Sequence, residues 1–126
     1  MIGEKDKRWM DLARRVLKQS LHPKYRFSSI LVRSGRVINI GINSSGGPAP
    51  FYKNSNNRGR HAECRCLYGL SKKATKGCTL YCCGETIIGN LACSRPCSMC
   101  WIEIERMSIK RIVHYSIKGE LVEIKI

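Results

Sequence analysis

Two short motifs constrain the fold of this chain more than any other feature of its sequence. Cys97 and Cys100 lie three residues apart, directly after Pro96, at the start of a predicted helix. Residues three apart share one face of a helix, so both sulfurs can point at one metal ion, and proline is well tolerated at a helix start. The second motif, His61-Ala62-Glu63, opens the preceding predicted helix. We expect the two helix starts to lie together, at the ends of neighbouring strands.

One histidine and two thiolates would supply three protein ligands to a zinc ion. Three ligands leave a fourth tetrahedral position for water, which is typical of a catalytic site and not of a closed structural one. Zinc lowers the pKa of its bound water to about 7, so hydroxide is available at neutral pH. Glu63 lies two residues after His61, where its carboxylate could carry protons. The motifs therefore predict one catalytic Zn²⁺ held by His61, Cys97 and Cys100, with Glu63 as the proton carrier.

The charge of the chain is strongly basic and unevenly distributed. It carries 23 basic and 9 acidic residues, a formal net charge of +14, and has a sequence pI near 9.8. Such a charge favours a nucleic-acid partner, and solubility is the alternative explanation. Glu63 is the one carboxylate between Asp11 and Glu85, among fourteen lysines and arginines. This isolation favours a specific role for Glu63 over a chance surface glutamate.

The hydrophobic pattern predicts an α/β chain with three helices and five short strands. The last two strands are joined by only three residues, which is too short for a parallel crossover, so we expect them to be antiparallel. The predicted helices cover residues 4–21, 61–73 and 96–107; the predicted strands cover 27–32, 36–42, 78–83, 111–117 and 121–126; residues 43–60 form a long loop and 84–96 an irregular segment.

The long predicted loop places aromatic side chains among basic ones. Phe51, Tyr52 and Arg60 lie on it, and this combination suits base stacking beside phosphate neutralisation. We interpret the three as substrate-binding candidates. The equally supported alternative is that Phe51 and Tyr52 pin the loop to the core.

His-Ala-Glu followed by Pro-Cys-x-x-Cys resembles the signature of the zinc-dependent cytidine and deoxycytidylate deaminase superfamily. The flanking residues agree, because Gly41-Ile42-Asn43 is similar to the family's G-x-N, whose asparagine contacts the nucleoside. The resemblance covers roughly residues 5–117. It implies that Asn43 binds substrate, and it leads us to expect Ala62 and Arg95, which belong to the matching motifs, at the same pocket.

The resemblance also implies a fold and a reaction. The fold is a single cytidine-deaminase-like domain over residues 1–126, with three α/β/α layers and a five-stranded mixed sheet. The reaction is the hydrolytic deamination of cytosine to uracil, in which zinc-bound hydroxide attacks C4 and Glu63 moves protons to the ring nitrogen and the leaving amine. Cytosine is favoured over adenine by the overall resemblance.

The substrate class stays open between two alternatives. Single-stranded DNA or RNA would account for the net charge and for the Phe51-Tyr52 loop, whereas free deoxycytidylate or cytidine needs few basic residues. The C-terminal hairpin resembles the branch that contains free cytidine deaminases and several polynucleotide deaminases. However, free cytidine deaminases have cysteine as the first ligand where this chain has His61. The substrate therefore cannot be copied from either branch, and the oligomeric state is not readable.

A structural zinc module is the rival explanation from another class of protein. Cys93, Cys97 and Cys100 with Cys82 or Cys83 could close a four-thiolate site in a basic, non-catalytic domain, although this would leave His61 and Glu63 unexplained. The remaining cysteines are interpreted as packing residues, with a second, structural metal as the alternative. Eight cysteines without an export signal or a membrane-spanning run indicate a reducing, cytoplasmic environment.

Overall fold

A computed structural model describes residues 2–44 and 61–126 as a three-layer α/β/α fold. The middle layer is a five-stranded sheet of order β2-β1-β3-β4-β5, in which β3 and β4 are parallel and every other neighbouring pair is antiparallel. The predicted mixed sheet with an antiparallel last pair is confirmed. The strands are β1 (Tyr25–Arg33), β2 (Arg36–Ile42), β3 (Thr79–Thr86), β4 (Arg111–Tyr115) and β5 (Leu121–Lys125); the helices are α1 (Glu4–Val16), α2 (Ala62–Leu67), α3 (Lys72–Thr75) and α4 (Ser98–Arg106).

Side chains alternate across the central strands, so the sheet has a separate apolar core on each face. Leu31 and Leu80 pack with residues of α2 and α4 on one face. Ile30 and Tyr81 pack with α1 on the other face. Because β2 and β3 are each antiparallel to β1, they run in the same direction, and their carboxyl ends lie at the same end of the sheet. The chain continues from this end of the sheet toward α2 after β2, and toward α4 after β3.

All three predicted helices are shorter than the sequence pattern indicated, and the third, predicted over 96–107, is α4 (Ser98–Arg106). The first ends at Val16 and continues as a 3₁₀ turn over Leu17–Gln19, so the predicted extension to residue 21 is wrong. The second, predicted over 61–73, is divided into α2 and α3. Gly69 has a φ of 81°, which is readily available to glycine and ends the helical path. Ser71 then begins α3 by accepting a hydrogen bond from the amide of Ala74.

Strand β3 is longer than predicted, because pairing with β1 continues to Thr86 opposite Tyr25. The predicted irregular segment therefore starts later than residue 84. The extension carries few aliphatic residues, and its buried Glu85 accepts a 2.7 Å hydrogen bond from the Arg14 guanidinium. No helix in the described ranges is long and apolar enough to cross a membrane.

Candidate metal centre and active site

The structure brings the three predicted metal ligands together near the carboxyl ends of β2 and β3. The ligand atoms of His61, Cys97 and Cys100 all lie within 4.8 Å of one another. His61 Nδ1 lies 3.3 Å from Cys100 Sγ and 3.4 Å from Cys97 Sγ. Zinc bonds of about 2.0–2.3 Å in a tetrahedron give ligand-to-ligand distances of about 3.6 Å. The donor set and its spacing therefore fit one Zn²⁺ and leave one coordination position without a protein ligand from this cluster.

Local backbone structure explains how the two cysteines meet. Cys97 is the residue before α4 and has an extended conformation, so it lies outside the helix and not within it as predicted. Its sulfur accepts a hydrogen bond from the amide of Cys100 at 3.5 Å, in the third position of the helix. This is the arrangement of an N-cap residue, with sulfur in place of the usual oxygen. Both sulfurs consequently turn toward the same point.

A glycine in β2 allows α2 to lie directly on the sheet. A Cβ atom at Gly41 would be 2.1 Å from the Ala62 carbonyl oxygen and 2.4 Å from the Cys66 amide nitrogen. Only a residue without a side chain permits this approach. Because His61 precedes α2 and Glu63 lies in its first turn, the approach sets the depth of both residues above the sheet.

Glu63 is buried beside the predicted metal ligands, with 7% of its surface exposed. Its Oε1 accepts a hydrogen bond of 3.4 Å from the Ser29 hydroxyl, which projects from β1. Burial raises the pKa of Glu63, and this effect is opposed by a hydrogen bond with Cys100 and by the charge of His61. A buried carboxyl group held beside the predicted metal ligands is placed to accept and return a proton.

The two cysteines predicted as ligands, Cys97 and Cys100, differ in their electrostatic environments. Hydrogen bonds from Cys100 and His61 lower the pKa of the Cys97 thiol to about 3, so this residue is a thiolate. The hydrogen bond between His61 and Cys97 in turn raises the pKa of His61. The neighbouring sulfurs of Cys64 and Cys97, together with burial, raise the pKa of Cys100. Binding of a divalent cation would displace the proton of the Cys100 thiol, because zinc binds cysteine as the thiolate.

A cavity of about 250 Å³ opens above these residues. His61, Glu63 and Cys97 belong to its lining. Another part of the lining comes from β1, where the rings of Tyr25 and Phe27 are stacked with centroids 6.3 Å apart. A metal-binding cluster, a buried carboxylate and an aromatic surface thus face one space, as in a site for a flat polar ring.

The predicted substrate-binding residues have different positions. Asn43, Ala62 and Arg95 all line the cavity. The Asn43 side chain also has structural contacts: its Oδ1 accepts from Ser20 Oγ at 2.6 Å and from the Phe27 amide at 2.8 Å, and its Nδ2 donates to the Tyr25 carbonyl. Asn43 thereby joins the start of β1 to the end of β2 at the cavity.

Arg95 lies beside the cavity with its guanidinium 5.5 Å from the centre of the Trp101 ring, a cation–π distance. This contact anchors an exposed arginine to α4. Three further candidates, Phe51, Tyr52 and Arg60, lie outside the described residues.

Sequence reasoning missed the aromatic residues of β1. Tyr25 and Phe27 occur at the start of a strand, where aromatic residues usually signal packing. The sequence carries no local signal for their role, because the pairing of Phe27 with Gly84 is set by the sheet register. A Cβ atom at Gly84 would lie 2.4 Å from the Phe27 ring, so the glycine lets the ring lie flat against β3.

The rival four-cysteine site does not form in the described part of the chain. The cluster found there contains His61, Cys97 and Cys100, without Cys93, Cys82 or Cys83. Cys83 packs on the α1 face, across the sheet from α4. Burial raises the pKa of the Cys82 and Cys83 thiols, so both are neutral packing residues. No second metal cluster is present within residues 2–44 and 61–126.

The chain matches the sequence model of one protein family. A sequence model of the cytidine and deoxycytidylate deaminase zinc-binding region matches residues 3–116. A comparison with curated protein sequences finds no match.

Three solved structures illustrate the similarity of the fold. The dCMP deaminase of cyanophage S-TIM5 in its apo form has 24% identity and a TM-score of 0.62, over 89% of this chain and 82% of that one. The same phage enzyme in complex with dCMP and dUMP has 21% identity and a TM-score of 0.62, over 89% and 81%. A cytidine deaminase from Burkholderia pseudomallei has 16% identity and a TM-score of 0.62, over 98% and 93%.

Proposed function

Because this chain belongs to the family defined by the cytidine and deoxycytidylate deaminase zinc-binding region, we propose that it hydrolyses the amino group from a cytosine base, giving uracil and ammonia. The observation that carries the proposal is the convergence of His61, Cys97 and Cys100 beside the buried Glu63, at a cavity. A structural zinc site requires neither an adjacent carboxylate nor a space for substrate.

We assign His61, Cys97 and Cys100 as the ligands of the family's zinc ion. When bound at three protein ligands, zinc supplies a nucleophilic water at neutral pH. The sulfurs of Cys97 and Cys100 would partly neutralise the cation, and His61 would contribute Nδ1.

Glu63 is assigned as the catalytic acid and base. Its carboxylate would take the two protons of the attacking water in turn, delivering one to the ring nitrogen and the other to the departing amine of cytosine. Burial of Glu63 raises the pKa of its carboxyl group, and the charge of His61 opposes this effect. Burial also keeps bulk water from competing for the proton.

The shape of the cavity supports a single base as the reacting group. Its volume, about 250 Å³, is slightly below the range of roughly 300–1,000 Å³ that holds drug-sized ligands. Tyr25 and Phe27 offer an apolar wall against which a pyrimidine can pack. Sugar and phosphate would then remain toward the cavity mouth.

For the carrier of that base, we propose single-stranded DNA or RNA. The supporting observation is the formal net charge of +14, far more than one mononucleotide phosphate requires. A base in a single strand enters a pocket without the few kcal/mol needed to leave a duplex.

Free deoxycytidylate is the second candidate, supported by the similar phage enzyme, whose structure was solved with dCMP and dUMP. The two candidates differ in salt dependence, because neutralisation of several phosphates releases several counterions.

A side-by-side assay separates the two substrates. The zinc-loaded protein is given deoxycytidylate or a cytosine-containing single-stranded oligonucleotide at 50 mM and 200 mM salt, and uracil formation is measured. We expect conversion of the oligonucleotide at low salt, with a tenfold or greater decrease in kcat/KM at the higher salt. Conversion of deoxycytidylate alone would overturn the polynucleotide proposal and establish the second candidate.

A further inference from the structure

Two adjacent serines of β1, Ser28 and Ser29, are both fully buried and have no part in the proposed mechanism. They project to opposite faces of the sheet. Ser28 donates a 2.6 Å hydrogen bond to the Ala13 carbonyl and thereby holds α1. Ser29 faces α2 and the cavity side of the sheet, where its hydroxyl lies below Glu63. The two consecutive serines therefore form hydrogen bonds on opposite faces of the sheet, Ser28 with α1 and Ser29 with Glu63.

The sheet register explains why the Ser29 hydroxyl can contact the Glu63 carboxylate. Its neighbours across β2 and β3 are Gly41 and Cys82. Gly41 has no side chain and lets α2 descend onto the sheet, so Glu63 comes within hydrogen-bond reach of β1. Ser29 Oγ lies 3.4 Å from Glu63 Oε1 and 3.8 Å from Cys82 Sγ. A serine hydroxyl has one proton to donate, and a carboxylate is a far better acceptor than a thiol.

We propose that Ser29 is a positioning residue that fixes the carboxylate of Glu63 toward the reacting atoms. This inference rests on the proposed role of Glu63. A glutamate side chain has several rotatable bonds, and proton transfer requires donor and acceptor to lie within about 3 Å in the correct direction. A rigid, fully buried donor on the central part of the sheet restricts the carboxylate more effectively than a loop residue would.

The test compares Ser29→Ala with Ser28→Ala. Both changes remove one buried hydroxyl from the same strand, so a general loss of stability affects both variants. Only Ser29→Ala removes the donor to Glu63. We expect Ser29→Ala to lower kcat about tenfold, with KM and zinc content unchanged, because a hydrogen bond of 3.4 Å lies at the weak end for charged acceptors. Ser28→Ala should lower the melting temperature and leave kcat unchanged.

Two additional measurements separate positioning from a structural role. Ser29→Thr keeps the hydroxyl and should restore most of the lost kcat. Crystal structures should show the Glu63 carboxylate in one position in the wild type and displaced in Ser29→Ala.

An unchanged kcat in Ser29→Ala, equal losses of kcat in both alanine variants, or an unmoved carboxylate would overturn the inference. These results would leave the proposed function intact as long as the wild type deaminates cytosine and Glu63→Gln does not. A wild type that is inactive on every cytosine substrate would instead overturn the proposed function, and with it the role of Ser29.

Discussion

Replacement of Gly41 by alanine tests how the sheet sets the position of the active-site helix. The new Cβ would lie 2.1 Å from the Ala62 carbonyl oxygen, whereas real Cβ atoms essentially never come within 3.0 Å of another heavy atom. The contacted atoms belong to the backbone, so no side-chain rotation relieves the overlap. Helix α2 must therefore retreat from the sheet by about 1 Å, the difference between these distances.

This displacement carries two functional residues with it. His61 immediately precedes α2 and Glu63 lies in its first turn, so both would be displaced relative to Cys97 and Cys100. An error of 1 Å in catalytic geometry costs about 100-fold in rate, and overpacking costs about 1–3 kcal/mol of stability. We expect Gly41→Ala to lose about 100-fold in kcat, to bind zinc more weakly and to unfold at lower denaturant concentration.

Gly84→Ala is the matched control for this prediction. Its Cβ would also overlap a neighbour, at 2.4 Å, but that neighbour is the Phe27 ring, a side chain that can rotate. The control should keep its zinc and change KM more than kcat. Zinc titration, steady-state kinetics and denaturant unfolding are measured on both variants. Wild-type zinc affinity and kcat in Gly41→Ala would refute the reasoning.

Two further predictions concern the ligands and the stability of the fold. Cys97→Ser should lower the zinc content per chain, measured by metal analysis after dialysis, whereas Cys93→Ser should retain it; equal zinc loss in both variants would contradict the ligand assignment. Arg111 holds the pKa of the Asp6 carboxyl well below its ordinary value, so the ionised pair stabilises the fold above about pH 4 and this contribution is lost as the pH falls. Between pH 5 and 2 the wild type should lose about 2 kcal/mol more unfolding free energy than Asp6→Asn, and equal losses would contradict this.

The sequence was sufficient for the elements whose signals are local. The Ile- and Val-rich runs of β1 and β2, the short final hairpin and the spacing of Cys97 and Cys100 each predicted structure that the chain forms. These signals depend on local composition, link length and ligand chemistry. Helix ends were less predictable, because the division between α2 and α3 depends on the backbone conformation of Gly69 and not on the apolar pattern.

The residues that shape the cavity depend on contacts between distant parts of the chain. Phe27 lines the cavity because Gly84 leaves room for its ring, and Ser29 reaches Glu63 because Gly41 admits α2. Each relationship joins residues that are more than twenty positions apart. The Asn43 amide likewise links the ends of two strands, by contacts with residues 16 and 18 positions away. A single sequence contains the residues, but only the sheet register shows that they are neighbours.

The most direct test of the account compares the wild type with Glu63→Gln, which keeps the shape of the side chain and removes its ability to carry a proton. Zinc content and uracil formation are measured on the same preparations. We predict about one zinc ion per chain in both proteins, cytosine deamination by the wild type and at least a 100-fold lower rate in the variant. Deamination by Glu63→Gln at the wild-type rate, or a zinc-loaded wild type that converts no cytosine substrate, would contradict the account.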